Sequence, residues 1–381
     1  MEKVKLSQDD KIRIITRNCQ EILTEGDLIK LLESNTQLSH YIGFEISGMV
    51  HLGTGLVSMG KIADFLSVGA KCRVFLADFH SYLNNKLGGD WNKIRWATDN
   101  YFKEGLIASL KCWNVNKEEV EFVNGKDLYE NNLIHWETFM EVGKHVTLAR
   151  NLRSISIMGK KRGQDVDMAT LFYPPLQVAD IFSMKVNLAH AGMDQRKAHV
   201  VARQVASKIK ISPIKNAKNE TIAPIAIHHN LIAGLSGPEK IDLKQSVEDV
   251  AIDLKMSKSK PGSAIFVHDS PDEIREKIKK AYGPPEEITM NPLINWVETL
   301  VFWGEKEGTF IVKRPERFGG DVIYNNSDSL KEDYKEGKLF PLDLKNALSD
   351  WLIEKLEPAR KHFEVNENAK EGLKKMKEWL V

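Results

Sequence analysis

The feature that most constrains this chain is a regular alternation of strand-like apolar runs with amphipathic helical segments in its first half. Residues 41–46 and 72–78 each have the pattern of a buried strand, and helical patterns follow them at 53–68 and 91–110. A short third strand is predicted at 120–123. Strands separated by helices predict a parallel, doubly wound α/β sheet with helices on both faces, whose ligands bind beyond the carboxyl ends of the strands.

The rest of the chain divides into further regions. Residues 1–34 are predicted as an N-terminal helical segment, and helical periodicity from about 133 to 158 indicates an insertion, placed at about 113–170, between two halves of the sheet. The α/β pattern returns with a helix at 173–184, a strand at 186–191, a helix at 195–209 and a strand at 222–228. We therefore predict a Rossmann-like domain over 35–245.

A second domain is expected to begin after residue 268. Ser270, Pro271 and Glu273 form a capping box with proline in the first turn, which is typical of a helix start. This places a loop and linker at 246–268 and a mainly α-helical C-terminal domain at 269–381.

The composition excludes several classes of protein. With 42% apolar and 28% charged residues over 381 positions, the chain is typical of a globular protein and not of a disordered one. Three scattered cysteines predict neither a disulfide framework nor zinc, and no metal-binding residues are assigned. The chain shows no signal-peptide core and no membrane-spanning run, so we expect a cytoplasmic protein with no membrane partner.

The net charge of +1 gives no bulk argument for nucleic acid, but the charges are unevenly distributed. Residues 195–218 carry seven Lys or Arg side chains and no acid, whereas 116–141 carry seven acids and two lysines. A local basic segment attracts phosphate whatever the total charge, so docking of one nucleic acid is compatible with this balance.

Two motifs carry chemistry. In the first, a strand passes through a glycine-rich turn with His51, Gly53, Thr54 and Gly55 into a helix, whose N-terminal N–H groups favour phosphate. There are two alternatives. One is a βα turn that binds no ligand. The other is a dinucleotide-binding fold, in which Asp78 would end the next strand, but the third glycine of that motif is missing. The second motif is Lys-Met-Ser-Lys-Ser at 255–259, whose lysines suit a mobile clamp on phosphate.

This pair of motifs resembles the two ATP-binding motifs of class I aminoacyl-tRNA synthetases, with Thr54 where the general pattern has a second histidine. The archaeal and eukaryotic type of tyrosyl-tRNA synthetase is similar over roughly residues 35–360. The segments that carry this narrower resemblance are 41–45, 173–180, 192–197, 317–321 and 341–346.

The resemblance implies ligation of tyrosine to tRNA(Tyr) in two steps. Tyrosine attacks ATP to form tyrosyl-adenylate and pyrophosphate, and a terminal ribose hydroxyl of the tRNA then takes the tyrosine. Mg²⁺ would arrive with ATP. By resemblance the catalytic residues are His51, Thr54, Lys255 and Lys258, and ATP is also held by Gly53, Gly55, Gly192, Asp194, Ser257 and Ser259, with Asp194 on the ribose.

Tyrosine selection and tRNA binding are assigned in the same way. Tyr41 and Asp180 would bind the phenol hydroxyl, while Tyr173, Gln177 and Gln195 would hold the α-amino group; the spacing of 173, 177 and 180 fits one helix face. On the tRNA, Arg196 and Lys197 would contact the acceptor end, Phe318 would stack on the first anticodon base and Asp343 would accept from guanine. Phe340 stands where the family pattern leads us to expect histidine. A homodimer through the 113–170 insertion is also implied.

Three alternatives stay open at this point: a tryptophan-specific ligase of the same class, a dinucleotide-dependent oxidoreductase, and a non-catalytic RNA-binding relative. His80 is expected either beside the pocket or as a core histidine, and His228 and His229 near the adenine site.

Overall fold

A six-stranded sheet forms the centre of the molecule, and its order confirms the doubly wound α/β class. The structure, a computed structural model, describes residues 6–159, 166–237, 256, 261–304 and 308–380. The strands are β1 (Cys19–Leu23), β2 (Ser39–Phe44), β3 (Lys71–Leu76), β4 (Val120–Asn124), β5 (Leu188–Gly192) and β6 (Ile225–His229). They lie in the order β1-β6-β5-β2-β3-β4, and β2 to β6 are parallel.

The chain runs outward from β2 through β3 to β4 and then returns to the other side of β2. The strand order therefore reverses between β2 and β5, and in doubly wound sheets ligands bind at the carboxyl ends beside such a reversal. The fold thus fixes one place for a site before any side chain is considered.

Helices cover both faces of the sheet and build the C-terminal part. They are α1 (Gln8–Thr16), α2 (Glu25–Glu33), α3 (Ser58–Ser67), α4 (Asp78–Leu83), α5 (Trp91–Ala97), α6 (Lys103–Lys111), α7 (Gly125–Tyr129), α8 (Leu133–His145), α9 (Leu148–Ser154), α10 (Met168–Ser183), α11 (Arg196–Val205), α12 (Pro271–Lys279), α13 (Pro292–Trp296), α14 (Ser327–Lys335), α15 (Pro341–Lys355), α16 (Glu357–Val365) and α17 (Glu367–Trp379). The predicted helices at 53–68 and 91–110 are confirmed, and each contains one π-helical turn, at Gly53–Val57 and Thr98–Phe102.

The first 34 residues are not wholly helical, which corrects the prediction for this segment. Between α1 and α2 the chain forms β1, which pairs antiparallel with β6. The reason is tertiary: β6 would otherwise be an open edge, and an added strand satisfies its unpaired backbone groups. Residues before 35 therefore belong to the sheet.

The predicted insertion at 113–170 also needs correction at both ends. It contains β4, which pairs with β3 and is part of the sheet, so the helical connection begins only after Asn124. At the other end, the helix predicted from residue 173 begins five residues earlier, as α10. The elements between β4 and β5 are nevertheless helical, as expected.

The C-terminal part is mainly helical with one hairpin, β7 (Phe310–Val312) and β8 (Val322–Tyr324). The capping box is present: the Ser270 hydroxyl accepts from the Glu273 N–H at 3.2 Å, and the Glu273 carboxylate accepts from the Ser270 N–H at 2.8 Å. No helix among the described residues is long and apolar enough to span a membrane.

This part packs closely on the sheet domain. Apolar side chains of both belong to one continuous buried cluster. At Gly372 of α17 even a Cβ atom would come within 1.9 Å of the Asn100 carbonyl oxygen, so the backbones touch where α17 crosses the helix from α5 to α6. The two parts are therefore joined by core packing.

Candidate active site

A cavity of about 510 Å³ lies at the carboxyl ends of β2 and β5, where the fold places a site. It brings together ten of the residues expected from the sequence: Tyr41, His51, Gly53, Thr54, Tyr173, Gln177, Asp180, Gly192, Asp194 and Gln195. Gly55 does not line it. Lys255, Ser257, Lys258 and Ser259 lie outside the described residues; Met256 between them lines the cavity, and its N–H donates to the Ile232 carbonyl at 2.8 Å.

Asp180 and Tyr41 form the deep end of the cavity. Asp180 is fully buried, and burial raises the pKa of its carboxyl well above the ordinary value. Its Oδ2 atom has no hydrogen-bond partner among the described residues. Tyr41 is also buried, and Gly43 leaves room for its ring, since a Cβ there would stand 3.0 Å from the Tyr41 hydroxyl. A buried acceptor without a donor is costly, so this end is built for a ligand that brings a hydroxyl.

Two further side chains shape this end. Tyr129, the last residue of the five-residue helix α7, donates its hydroxyl to Asp180 Oδ1 at 2.8 Å, and nothing in the sequence singled it out. His80 lies beside the pocket, with Nε2 3.5 Å from Asp180 Oδ2. Burial lowers the pKa of His80 to about 3, so its imidazole is neutral. The Asp180 carboxylate thus has one donor in place and an open position for a second.

A group of polar side chains lies at the middle of the cavity. Gln177 Nε2 donates to Gln195 Oε1 at 3.3 Å, and Gln195 Nε2 donates to the Ile157 carbonyl at 3.0 Å. Gln177 Oε1 is buried with no partner among the described residues. The Tyr173 hydroxyl donates to Glu45 Oε1 at 2.8 Å. Acceptor oxygens and a carboxylate in this arrangement suit a cationic amino group. Glu45 belongs to this group of polar side chains, although the sequence analysis assigns it no role.

His51 organises the start of the helix at the other end. Its Nδ1 accepts from the N–H groups of Gly53 and Thr54 at 3.1 and 3.3 Å, and Nε2 lies 3.2 Å from the Thr54 hydroxyl. The sequence suggests that the N–H groups at this helix start are free to bind phosphate. The N–H groups of Gly53 and Thr54 are instead taken up by His51. Two accepted hydrogen bonds leave Nδ1 without a proton, so the neutral ring carries its hydrogen on Nε2.

The glycines of this region differ in their roles. At Gly53 a Cβ would come within 2.9 Å of Ile232, and at Gly192 within 2.8 Å of Asp194 Oδ1, so both keep the cavity wall open. Gly55 faces the core instead, where a Cβ would come within 2.5 Å of the Ser109 hydroxyl oxygen. Its role is helix packing, which corrects its assignment to ATP.

A second cavity of about 440 Å³ lies beside the first and is lined by four cationic side chains and no acid: Arg150, Arg153, Arg196 and Lys197. Arg196 is held by two hydrogen bonds to the Glu21 carboxylate, at 2.7 and 2.8 Å. Lys197 donates to the Ser156 hydroxyl at 2.7 Å. The concentration of positive charge suits a polyanion such as a nucleic-acid backbone.

Phe318 and Asp343 lie far along the chain from the cavity residues but in one region of the C-terminal part. The Phe318 ring is 58% exposed, with the Arg317 guanidinium 4.9 Å from its centre. Arg314 connects the two segments, donating to the carbonyls of Gly320 and Lys338, both at 3.1 Å. Phe340, three residues before Asp343, is 59% exposed. An exposed ring beside a cation can stack on a base.

The family model "tRNA synthetases class I (W and Y)" matches residues 33–357. The chain belongs to this family. It is therefore an aminoacyl-tRNA synthetase of class I.

Individual members of the class are similar over nearly their whole length. A tyrosine–tRNA ligase from Thermococcus sibiricus is 49% identical over 359 residues, covering 93% of this chain and 95% of the relative. The crystal structure of the tyrosyl-tRNA synthetase of Pyrococcus horikoshii with L-tyrosine superposes with a TM-score of 0.93 at 46% identity, covering 98% of this chain and 100% of that one. A tryptophanyl-tRNA synthetase from Aeropyrum pernix, 17% identical with a TM-score of 0.63, shares the fold alone.

Class I synthetases of this family use ATP. Membership also excludes the oxidoreductase alternative.

Proposed function

We propose that this synthetase is a tyrosine–tRNA ligase. The tyrosine carboxylate attacks the α-phosphorus of ATP, and pyrophosphate leaves with the electrons of the broken P–O bond. A terminal ribose hydroxyl of tRNA(Tyr) then attacks the adenylate carbonyl, loses its proton, and releases AMP. The attacking carboxylate is already an anion, so the protein acts by positioning and by stabilising phosphate charge.

The observation that carries the proposal is the open Oδ2 position of Asp180 at the buried end of the cavity. A phenol hydroxyl donates to it and meets the Tyr41 hydroxyl in the same place. Phenylalanine would leave both polar groups unpaired, and an indole would have to bring its N–H to the same point. The amino group of the substrate fits Tyr173, Gln177 and Gln195, with Gln177 Oε1 as its acceptor.

ATP would occupy the end with His51, Thr54, Gly192 and Asp194. Gly53 and Gly192 allow close approach, and Asp194 accepts from the ribose hydroxyls. Mg²⁺ would enter on the phosphates: among the described residues no group of three His, Cys, Asp or Glu side chains could hold a metal ion. Lys255 and Lys258, with Ser257 and Ser259, stay predictions from the sequence for the closing of the site over pyrophosphate.

Amino-acid-dependent exchange of pyrophosphate into ATP tests the proposal. We expect exchange with tyrosine, and none above background with phenylalanine or tryptophan. Asp180→Ala should abolish tyrosine-dependent exchange but leave tRNA binding unchanged. Exchange driven by tryptophan, or full activity of Asp180→Ala, would overturn the assignment.

tRNA would contact two surfaces: the cationic cavity of Arg196 and Lys197 at the acceptor end, and Phe318 with Asp343 at the anticodon. Arg150 and Arg153 add positive charge to the first surface. Since tRNA, ATP and tyrosine meet in the cytoplasm, we place the enzyme there.

We also propose a homodimer through the helical connection. Large apolar side chains are exposed on three adjacent elements of it: Leu133, Ile134 and Met140 on α8, Leu148 and Leu152 on α9, and Met168 and Phe172 on α10. So many exposed apolar side chains on neighbouring helices indicate an interaction surface. The second copy of this chain is the occupant that the family resemblance implies.

Native mass spectrometry tests the dimer. The double variant Leu133→Asp/Met140→Asp, which changes side chains that are each 69% exposed, should be a monomer. Val365→Asp, also at a position 69% exposed but in the C-terminal part, should stay a dimer. A monomeric unmodified protein, or a dimeric double variant, would contradict the proposal.

A further inference from the structure

Three histidines cross the central sheet in one direction. His40 lies on β2, His190 on β5 and His229 on β6, which are neighbours in the sheet. His40 pairs with Leu188, two residues before His190, and His190 pairs with Ile227, two residues before His229. The three side chains therefore share one face and advance diagonally towards the carboxyl ends of the strands. The last of them, His229, lines the active-site cavity.

The rings form a continuous hydrogen-bonded chain. His40 Nε2 lies 3.1 Å from His190 Nδ1, and His190 Nε2 lies 2.8 Å from His229 Nδ1. Burial lowers the pKa of His40 to about 3 and that of His229 to about 4, and it lowers the pKa of His190 well below the ordinary value. All three imidazoles are therefore neutral, and each carries one N–H.

Neutral rings in such a chain can be arranged in two ways only. Either every Nδ1 carries the hydrogen, or every Nε2 does, because each contact needs one donor and one acceptor. His40 Nδ1 decides between them, since it is fully buried with no partner among the described residues. The first arrangement would bury an unpaired N–H there, whereas the second leaves only an unpaired lone pair, and orphaned buried N–H groups are the rarer of the two.

We propose that this three-histidine chain fixes the Nε2–H form of His229 and so presents a hydrogen-bond donor to the nucleoside of ATP. His229 Nε2 lies at the cavity wall by Gly192, where a Cβ would stand 3.6 Å from it and 2.8 Å from Asp194 Oδ1. A donor and an acceptor side by side match a nucleoside, which offers lone pairs on its purine nitrogens and hydroxyls on its ribose. His40 and His190 are positioning residues, which act through His229.

The inference rests on the ATP site of the proposed function, but its first test needs neither ATP nor activity. In enzyme labelled with ¹⁵N-histidine and free of substrate, two-bond ¹⁵N–¹H correlations report which nitrogen carries hydrogen. We expect His229, His190 and His40 all in the Nε2–H form near neutral pH. An Nδ1–H form at His229 overturns the inference.

The second test uses pyrophosphate exchange with tyrosine. His229→Leu should raise the KM for ATP about 3–10-fold, the range for one net hydrogen bond, with the KM for tyrosine unchanged. His190→Leu should do the same from outside the cavity. His190→Gln keeps an amide donor near Nε2 and should restore the KM for ATP. His199→Leu is the control, because His199 is an equally buried histidine outside the three-histidine chain. Its hydrogen-bond partner within the described part of the protein is His228, at 3.1 Å.

The outcomes are separable. An unchanged KM for ATP in His229→Leu, with tyrosine-dependent exchange intact, overturns the inference and leaves the ligase proposal standing. Equal effects of Leu and Gln at position 190 also overturn it, since they would indicate packing alone. No exchange in the unmodified enzyme overturns the proposed function and the nucleotide role of His229 with it. If His190→Leu does not fold, the spectra and the His229 variant still decide.

Discussion

At the buried end of the cavity, the Asp180 carboxylate has a single hydrogen-bond donor among the described residues, the phenol of Tyr129. The Tyr129 hydroxyl donates to Oδ1, and this hydrogen bond lowers the pKa of a carboxyl that burial otherwise raises. Without it, neither carboxylate oxygen of Asp180 would have a hydrogen-bond donor among the described residues, and protonation of the carboxyl would become more favourable.

Tyr129→Phe should therefore raise the KM for tyrosine about 3–10-fold, the effect of one lost hydrogen bond, and should raise it more at acidic pH. Pyrophosphate exchange across a pH series measures this. Tyr82→Phe is the matched control, since Tyr82 is 39% exposed and stacks on Trp91. A tyrosine KM unchanged in Tyr129→Phe would show that Asp180 needs no second donor.

Asp78 gives a pH-dependent prediction of stability. Burial raises the pKa of its carboxyl from 3.8 to about 6, so between these values the folded chain keeps a proton that the unfolded chain has released. The contribution of Asp78 to the free energy of unfolding therefore falls as the pH rises through this window, by up to about 2–3 kcal/mol.

Asp78→Asn removes this titration while keeping an acceptor for the Phe79 N–H. Urea unfolding at a series of pH values from about 4 to 7 measures the free energy of unfolding. Over this range it should decrease less with rising pH in Asp78→Asn than in the unmodified protein. Asp127→Asn, at an exposed position nearby, should keep the original slope. An identical slope in Asp78→Asn would exclude Asp78 as its source.

The sequence points to Tyr173, Gln177 and Asp180 through their resemblance to a known family, and their helical spacing agrees with one shared face. The structure brings all three to one cavity. His80 lines the same cavity from α4 and Tyr129 contacts Asp180 from α7, and no periodicity within their own segments records those contacts. The roles of individual atoms, such as the acceptor Nδ1 of His51, depend on neighbours that only the folded chain brings close.

Among the elements, α3 links the active-site turn to distant parts of the chain. Lys61 on α3 is fully buried, donates to the carbonyls of Ile14 and Ile15 and pairs with Asp64 at 3.0 Å. Trp303 donates its indole N–H to Asp64 at 3.1 Å. One carboxylate thus holds α1, α3 and the C-terminal part together.

Asp64→Ala should destabilise the protein by about 3–5 kcal/mol, because it leaves the Lys61 cation buried without its counter-ion. Guanidinium unfolding measures this. Asp350→Ala, which breaks an ion pair with Arg275 whose members are both about half exposed, should cost less than about 1 kcal/mol. A similar small loss in both variants would show that the backbone carbonyls alone stabilise Lys61.

The strands show where reasoning from periodicity fails. Central strands such as β2 and β3 were predicted because they are continuous apolar runs. β1 was missed because its five residues mix polar and apolar side chains and owe their strand form to the open edge of β6. Edge pairing is a tertiary effect, and local composition does not encode it.

In the molecule as a whole, the proposed anticodon surface can be tested separately from the reaction in the cavity. Phe318→Ala should raise the KM for tRNA in aminoacylation about tenfold or more, since stacking of one base contributes about 1–3 kcal/mol. Pyrophosphate exchange, which needs no tRNA, should not change. Ile323→Ala, at a position 59% exposed on the hairpin, is the control. A loss of exchange in Phe318→Ala would point to misfolding or to a wrong assignment.

The close crossing at Gly372 has a consequence for substrate choice. Because α17 lies directly on the backbone at Asn100, the C-terminal part cannot slide along the sheet domain, and the span from Phe318 to the catalytic cavity is set by the core. On the proposed function, the distance between the anticodon surface and the cavity is therefore fixed. An RNA with the right anticodon but an arm of the wrong length cannot contact the anticodon surface and the cavity together, so the protein selects tRNA by its dimensions as well as by its bases.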